Sequence, residues 1–332
     1  MTLSQASLPL KQMVEQYLRQ RRALGRGFEE EERVLRSLLE YLEAVSSDLD
    51  QTRFDQWCLS QEGVSANVRR NRQRIVRNFC LYRQRSDPGG FVPDPDRFPR
   101  REPYAAPFII GPEEVERMLS AARMLAATPT SPLYPDVMRM AVILLYCAGL
   151  RRGEVLRLLL SDVDPKEGVL RIRESKFHKS RLVPLSKSAT RDLRLYLKKR
   201  LAPPLDPLPT SHLLVSRSYG RCHGYTGTGL RIGIQRLFHA AHVTGIDGRC
   251  PRVHDLRHSF AVQSLLRWYR SNADVPAKLP KLALYMGHVS IVSTAYYLRW
   301  ISEIALEASR LFEAHSGHLI TGGPHEIQDT PQ

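Results

Sequence analysis

Cysteine is scarce and unpatterned in this chain of 332 residues. Cys58, Cys80, Cys147, Cys222 and Cys250 are odd in number and nowhere form a C-x-x-C pair. That argues against a disulfide framework and against the ligand spacing of a structural zinc site, and it fits a reducing, cytoplasmic setting. Long apolar runs are missing as well. The longest, Met140 to Ala148, falls far short of the roughly 20 residues that span a bilayer. The opening Met1-Thr2-Leu3-Ser4 has none of the features of a signal peptide, and no basic amphipathic segment stands alone as a membrane-surface anchor. No internal repeat is visible. Acidic residues are the remaining shortage: 34 Asp and Glu face 49 Lys and Arg, a formal net charge of +15 and a pI near 9.9. That excess suits a polyanionic partner, of which nucleic acid is the commonest.

What is present is mostly helical periodicity. Leu10, Met13, Val14, Tyr17 and Leu18 repeat at helical spacing until Gly25 and Gly27 interrupt them. Phe28 to Val45 repeats the pattern through Val34, Leu35, Leu38, Leu39 and Leu42. A third piece surrounds Phe54, Trp57 and Cys58. A fourth runs from Ser65, a residue suited to an N-cap, to Arg85. Val68, Ile75, Phe79 and Tyr82 give that fourth helix a docking stripe. Its Arg69, Arg70, Arg72, Arg74 and Arg77, with no acid between Ala66 and Arg85, fit contact with phosphates better than base reading. A solvated charged face usually mixes signs.

From residue 88 to 107 the composition changes. Asp87-Pro88-Gly89-Gly90 and Pro93, Pro95, Pro99, Pro103 and Pro107 disfavour regular structure. The expected organisation is a helical unit over 1–87, a proline-rich linker over 88–107, a second domain over 108–315 and a disordered tail over 316–332. Gly111-Pro112-Glu113-Glu114 opens a helix. Asp136 to Ala148 reads as a buried helix stopped by Gly149, with Arg151 and Arg152 emerging directly after it and Glu154 in reach to orient one of them. Val169 to Arg173 alternates as a strand, with Arg181 to Leu185 as its partner. Lys176, His178 and Lys179 lie between them, near the tip of a basic hairpin. Helices follow over Ser188–Arg200, Thr228–His242 and His254–Tyr269, with a short strand at Leu213–Ser216. A last helix begins at Trp300. The fold class is mainly α with a small antiparallel β-sheet.

The stretch that organises the rest is His254-Asp255-Leu256-Arg257-His258-Ser259-Phe260, followed by Met286-Gly287-His288 and the pair Tyr296-Tyr297. His254 and Arg257 leave one helix face together. A guanidinium fork matches phosphate oxygens, an imidazole moves protons, and a phenol can serve as a covalent nucleophile. A lone His-x-x-Arg is ordinarily a solvated helix face. Here it stands third in a series, after Ala148-Gly149-Leu150-Arg151-Arg152-Gly153-Glu154 and Lys176-Phe177-His178-Lys179-Ser180-Arg181-Leu182-Val183-Pro184-Leu185.

In that order and spacing the three islands resemble the tyrosine recombinases, also called phage integrases, over about residues 108–312. The N-terminal helices are similar to that family's core-binding domain. The resemblance implies Arg151 and Arg257 as the catalytic arginines, Lys176 as the hairpin lysine, His254 and His288 as the catalytic histidines and Tyr297 as the nucleophile. Glu154 corresponds to an acid supporting the first arginine. Tyr297 is preferred to Tyr296 on the family's spacing from Gly287-His288, and neighbours on a helix point about 100° apart, so one of the two faces the phosphate. The implied chemistry is cutting and rejoining of double-stranded DNA through a 3′-phosphotyrosine, without metal or cofactor, by a homotetramer on two duplexes whose C-terminal helix is exchanged between subunits. Lys179 and the arginines of the fourth helix would add DNA contacts.

Two features narrow the resemblance. The stretch from Ser264 to Tyr285 is longer than the usual connection between the histidine motifs, and its wording is similar to recombinases of transposons and other mobile elements. No additional N-terminal arm-binding domain is expected. Two alternatives are a type IB topoisomerase, which shares the chemistry but acts as a monomer, and a non-catalytic DNA-binding protein, for which the tyrosine and the hairpin lysine have no use.

Overall fold

A computed structural model of the chain describes residues 9–25, 27–103, 106–173, 180–218, 221–245, 248–288, 290–299 and 309. The chain divides into two compact units, Met1–Ala105 and Ala106–Gln332.

The first unit is built from α1 (Leu10–Ala23), α2 (Glu29–Ala44), α3 (Gln51–Leu59) and α4 (Ala66–Arg83). The apolar stripes read from the sequence form its core: Met13, Val14, Tyr17 and Leu18 pack with Val34, Leu35, Leu38, Leu42, Phe54, Trp57, Ile75 and Phe79. Gly25 ends α1 with a positive φ of 78°, which glycine tolerates at no steric cost. Two details differ from expectation. Val68 is exposed, so the docked stripe of α4 starts near Ile75, and Ser65 occupies the N-cap position without a side-chain capping bond. The proline-rich stretch is also not simply extended. Residues Pro95–Arg97 make a 3-10 turn, and Phe91, Val92 and Phe98 pack on the helical core. Prolines fix the backbone, but the aromatic residues between them still gain by leaving water.

The second unit begins with α5 (Pro112–Arg123), where Glu114 Oε2 accepts from the Gly111 N–H at 2.6 Å. Next come α6 (Tyr134–Val142) and a π-helical turn, Ile143–Cys147. The sequence reads as one helix there; the structure widens its last turn. Gly149 then turns back with φ +59°, and a Cβ on it would collide with the Phe260 ring. α7 (Arg152–Arg157) follows.

A three-stranded antiparallel sheet is ordered β1 (Val163–Asp164), β2 (Val169–Ile172), β3 (Arg181–Pro184), with Ile172 opposite Arg181. α8 (Lys187–Arg200) leads to a second hairpin, β4 (Val215–Ser218) with β5 (Arg221–Gly224). Sequence reading missed β5 because Arg-Cys-His-Gly has neither alternation nor β-branched residues. α9 (Gly227–Ala240), α10 (Val253–Arg270), α11 (Val275–Met286), α12 (Val292–Ala295) and a 3-10 turn, Tyr296–Arg299, complete the described chain. The main core joins α5, α6, the sheet and α9. A second cluster joins the apolar faces of α10 and α11 and includes Tyr297. The expected C-terminal helix and tail fall outside the described residues, apart from residue 309. No helix among the described residues is long and apolar enough to cross a membrane.

Candidate active site

The site grows from chain turns that bring backbone carbonyls together. α11 ends at Gly287, which has φ +68°. A Cβ there would sit 2.8 Å from Arg181 Nη1 and 3.2 Å from Arg151 Nη1, so glycine allows the guanidiniums to approach the backbone. Arg151 Nη2 donates to Gly287 O at 2.6 Å. Arg257 Nη2 donates to Met286 O at 2.8 Å, and its Nη1 donates to Gly149 O. Adjacent carbonyls at one helix end therefore hold both arginines side by side.

Arg257 lies on α10 and is 1% exposed. Burial, and then the nearby charge of Arg151, pull its pKa down; an anion placed against the pair would relieve both effects. Arg151, at the N-cap position of α7, donates from Nη1 to Glu154 Oε1 at 2.8 Å and from its backbone N–H to Oε2 at 2.9 Å.

Glu154 is buried and has a second partner that sequence reading did not assign. Arg181, the first residue of β3, donates to both Glu154 oxygens at 2.9 Å. Its Nε donates to Tyr285 O at 2.8 Å. Burial opposes ionisation of Glu154, but hydrogen bonds from Arg181 and from the Arg151 backbone overcome it and hold its carboxyl at about 2. One carboxylate thus bridges two guanidiniums, with a third, Arg257, nearby, an excess of positive charge that fits a phosphodiester. Tyr285 Oη also donates to Pro184 O at 3.1 Å, so β3 is tied to α11 twice. The signal for Arg181 was its place in the hairpin island, at the first residue of the returning strand. Lys176 and Lys179, near the hairpin tip, lie outside the described residues.

α10 is entered through a capping pair: the Arg252 N–H donates to Asp255 Oδ2 at 2.7 Å. Ser259 Oγ donates to Asp255 O and accepts the Ile110 N–H at 2.8 Å. This fixes the helix that carries His254, Arg257 and His258. His254 is solvent-exposed at its edge, with its ring T-shaped against His258 at 4.5 Å between centroids. His258 Nδ1 lies 2.9 Å from Tyr297 Oη. His288 stacks on the Tyr297 ring at 6.4 Å, and its Nδ1 lies 2.7 Å from Oγ1 of the fully buried Thr294. Tyr297 is 3% exposed. His258 and Thr294, like Arg181, carried no assignment from sequence. His258 stands one helical turn after His254, which is the available signal; Thr294 had none.

All three histidines are held near a pKa of about 4. Desolvation comes first in each case. Repulsion follows from His258 and Arg257 at His254, from Arg252 and Arg257 at His258, partly offset by Asp255, and from Arg257, Arg151 and Arg181 at His288. The half-buried His258 and His288 are therefore neutral at pH 7, each with one unprotonated ring nitrogen.

The geometry brings Arg151, Glu154, His254, Arg257, His288 and Tyr297 into one cluster, and residues 109–302 match the model of the phage integrase family. The chain belongs to the phage integrase family. This tyrosine recombinase is 35% identical to y4rB of Sinorhizobium fredii, described as an integrase or recombinase, over 91% of the chain and 96% of that protein. It is 31% identical to tyrosine recombinase XerD of Xanthomonas axonopodis pv. citri over 64% of each. Its fold matches the Tn1549 transposon integrase, solved with transposon right end DNA, with a TM-score of 0.61 at 18% identity over 92% of this chain and 99% of that one. As a member of that family it functions in site-specific DNA recombination.

The other predicted DNA contacts lie on α4 of the first unit. Arg74 is exposed, whereas Arg69, Arg70, Arg72 and Arg77 are half-buried. Arg70 donates to Pro99 O at 2.9 Å, Arg77 to Pro93 O at 3.4 Å and Arg72 to Gln61 Oε1 at 2.7 Å. These arginines brace the proline-rich segment and the neighbouring loop with part of their donor sets; a guanidinium has five N–H groups, so phosphate contact and bracing are compatible.

Proposed function

We propose that this recombinase cuts and rejoins double-stranded DNA through a 3′-phosphotyrosine on Tyr297, for integration, excision or transposition of a mobile element. The observation that supports this best is the arginine pair anchored on adjacent carbonyls, Arg257 buried and Arg151 half-buried, close to the Tyr297 phenol. Arg151 and Arg257 clamp the non-bridging oxygens and stabilise the charge that develops on phosphorus. Glu154 keeps Arg151 in place. Tyr297 attacks phosphorus, the bond to the 5′-oxygen breaks, and Lys176 protonates the departing 5′-hydroxyl. His254 assists proton movement and His288 holds the phosphate. The phosphodiester energy is retained in the covalent link, so the reaction needs neither metal nor nucleotide. A 5′-hydroxyl from another strand reverses the step and completes exchange.

Strand exchange between two duplexes calls for four active sites. A homotetramer exchanging C-terminal helices, acting in the cytoplasm, is the assembly that fits. Lys179 and Arg69, Arg70, Arg72, Arg74 and Arg77 contribute phosphate contacts. The organisation is a helical core-binding unit joined by the proline-rich segment to a catalytic domain beginning near residue 108.

The test is covalent trapping. Purified protein is incubated with nicked duplexes from the DNA flanking its gene, in chelator, and resolved under denaturing conditions. A 3′-linked adduct mapped by peptide mass to Tyr297 is expected. An adduct that survives in Tyr297→Phe and is lost in Tyr296→Phe would move the nucleophile by one residue. Tight binding with no adduct would leave a DNA-binding protein.

A further inference from the structure

We infer that His258 accepts the Tyr297 phenol proton during cleavage and returns it during religation, separating this duty from His254. The inference rests on Tyr297 being the nucleophile. Its basis is geometric. Arg257 and His258 are neighbours on α10, so their side chains diverge by about 100°. Arg257 is thereby aimed inward to the carbonyls of Gly149 and Met286, while His258 is aimed across to the tyrosine, with Nδ1 at 2.9 Å from Oη. That distance is within reach for direct proton transfer. The other two rings are placed differently. His288 directs its Nδ1 to Thr294, and His254 meets His258 edge to face at the solvent side.

The charges around His258 fit the task. On its own helix it faces His254, Asp255 and Arg257, with Arg252 just before the helix. Tyr297 faces it from the 3-10 turn and His288 from the end of α11. Burial and the two arginines keep the ring neutral before DNA arrives, and Asp255 works the other way. A bound phosphate adds negative charge beside the arginines, which favours protonation of the ring at the moment the phenol loses its proton.

The step balances. The phenol O–H donates to Nδ1 in the tautomer that carries its proton on Nε2. As the Oη–P bond forms and the P–O5′ bond breaks, the phenol proton moves to Nδ1 and the general acid delivers a different proton to the 5′-oxygen. In religation the deprotonated general acid takes the proton of the attacking 5′-hydroxyl as the O5′–P bond forms, the P–Oη bond breaks, and Nδ1–H reprotonates the departing phenolate, leaving the imidazole neutral.

The experiment uses the full-length protein and the flanking-DNA duplex on which adduct formation has been mapped. Two versions are compared, one with the natural 5′-oxygen and one with a 5′-bridging sulfur, which leaves without needing a proton. Single-turnover adduct formation at saturating DNA is followed from pH 6.5 to 9.5 for wild type, His258→Ala, His258→Asn and Tyr297→Phe. His258→Ala is expected to be slowed about 100-fold on both substrates, with the deficit narrowing as pH rises and solvent takes the phenol proton. His258→Asn, which keeps an acceptor near the position of Nδ1 and the packing of the ring, is expected to regain orientation and about tenfold in rate but to keep the altered pH profile. Religation slows by the same factor. Wild-type rate and pH profile in His258→Asn, or full recovery of His258→Ala on the sulfur substrate, overturns the inference; the Asn variant decides it if the Ala variant melts early. An adduct persisting in Tyr297→Phe would instead overturn the nucleophile assignment on which the inference rests.

Discussion

The arginines of α4 and the arginines of the pocket are the same side chain in two physical situations. On α4 they lie along one helix, half-buried or exposed, and brace local carbonyls and a glutamine. At the candidate active site, Arg151, Arg181 and Arg257 come from separate parts of the chain: the first two share one carboxylate, and the three reach the carbonyls of Gly287, Tyr285 and Met286. A helix face with a high density of positive charge acts on a polyanion at long range, and salt screens it. A buried, pre-anchored guanidinium acts at one phosphorus atom, with its reorganisation already complete before substrate binds. On the function proposed above, the first arrangement would supply affinity and the second rate.

The sharpest way to test that division is through the pocket. Tyr297→Phe removes the nucleophile and is expected to abolish the adduct while leaving DNA affinity within about twofold, measured by trapping and by filter binding. Arg257→Ala is expected to slow cleavage by about 10²–10³-fold at saturating DNA, as loss of a transition-state donor does; equal losses in binding and rate would erase the distinction from α4.

Next comes Glu154→Gln. It leaves Arg151 and Arg181 without their shared counter-charge, a change that costs about 3–5 kcal/mol when a buried pair is broken, read as a lower denaturant midpoint. The sign of its pH dependence follows from the depressed carboxyl: the stabilisation is present above the ordinary pKa of 4.5 and is lost as pH falls toward 2. The histidines act in the same direction over a higher window. Their folded pKa values are lowered to about 4, so the unfolded chain takes up protons first as pH drops below 6.5, and the free protein loses stability progressively between about 6.5 and 4. A urea midpoint constant across that range would contradict the neutral, desolvated histidines.

The smallest expected effect is on α4. Arg74→Ala should flatten the plot of log affinity against log salt by about one unit with cleavage at saturating DNA unchanged. Arg72→Ala, which loses the bond to Gln61, should in addition lower unfolding stability by about 1 kcal/mol. Should Arg74→Ala slow chemistry instead, the two sets of arginines would not be separable.

Legibility differed between these regions for a physical reason. The helical unit was readable because each stripe is local: residues three and four apart share a face whatever the rest of the chain does. The same locality misled where burial depended on partners, as at Val68, which falls on the stripe and is exposed, and at Phe91 and Phe98, which pack although prolines surround them. In the catalytic domain the motifs named Arg151, Glu154, His254, Arg257, His288 and Tyr297 because residue type and order carry chemistry. They did not name Arg181 and Thr294, whose contacts join segments distant in sequence or are set by one turn's geometry. His258 was in plain view within its motif, and only its 2.9 Å approach to Tyr297 gives it a task.

By itself the sequence determined the helical periodicity, the basic balance, the order of the three islands and the inventory of phosphate-binding and nucleophilic groups. These follow from composition and from spacing along one chain. The tertiary structure alone decided that Gly149 and Gly287 turn so that carbonyls anchor two arginines, that one carboxylate serves both Arg151 and Arg181, and which imidazole touches the phenol. Each depends on where the end of α11 meets α10 and β3, and that meeting is fixed by packing of side chains far apart in the sequence rather than by any local pattern.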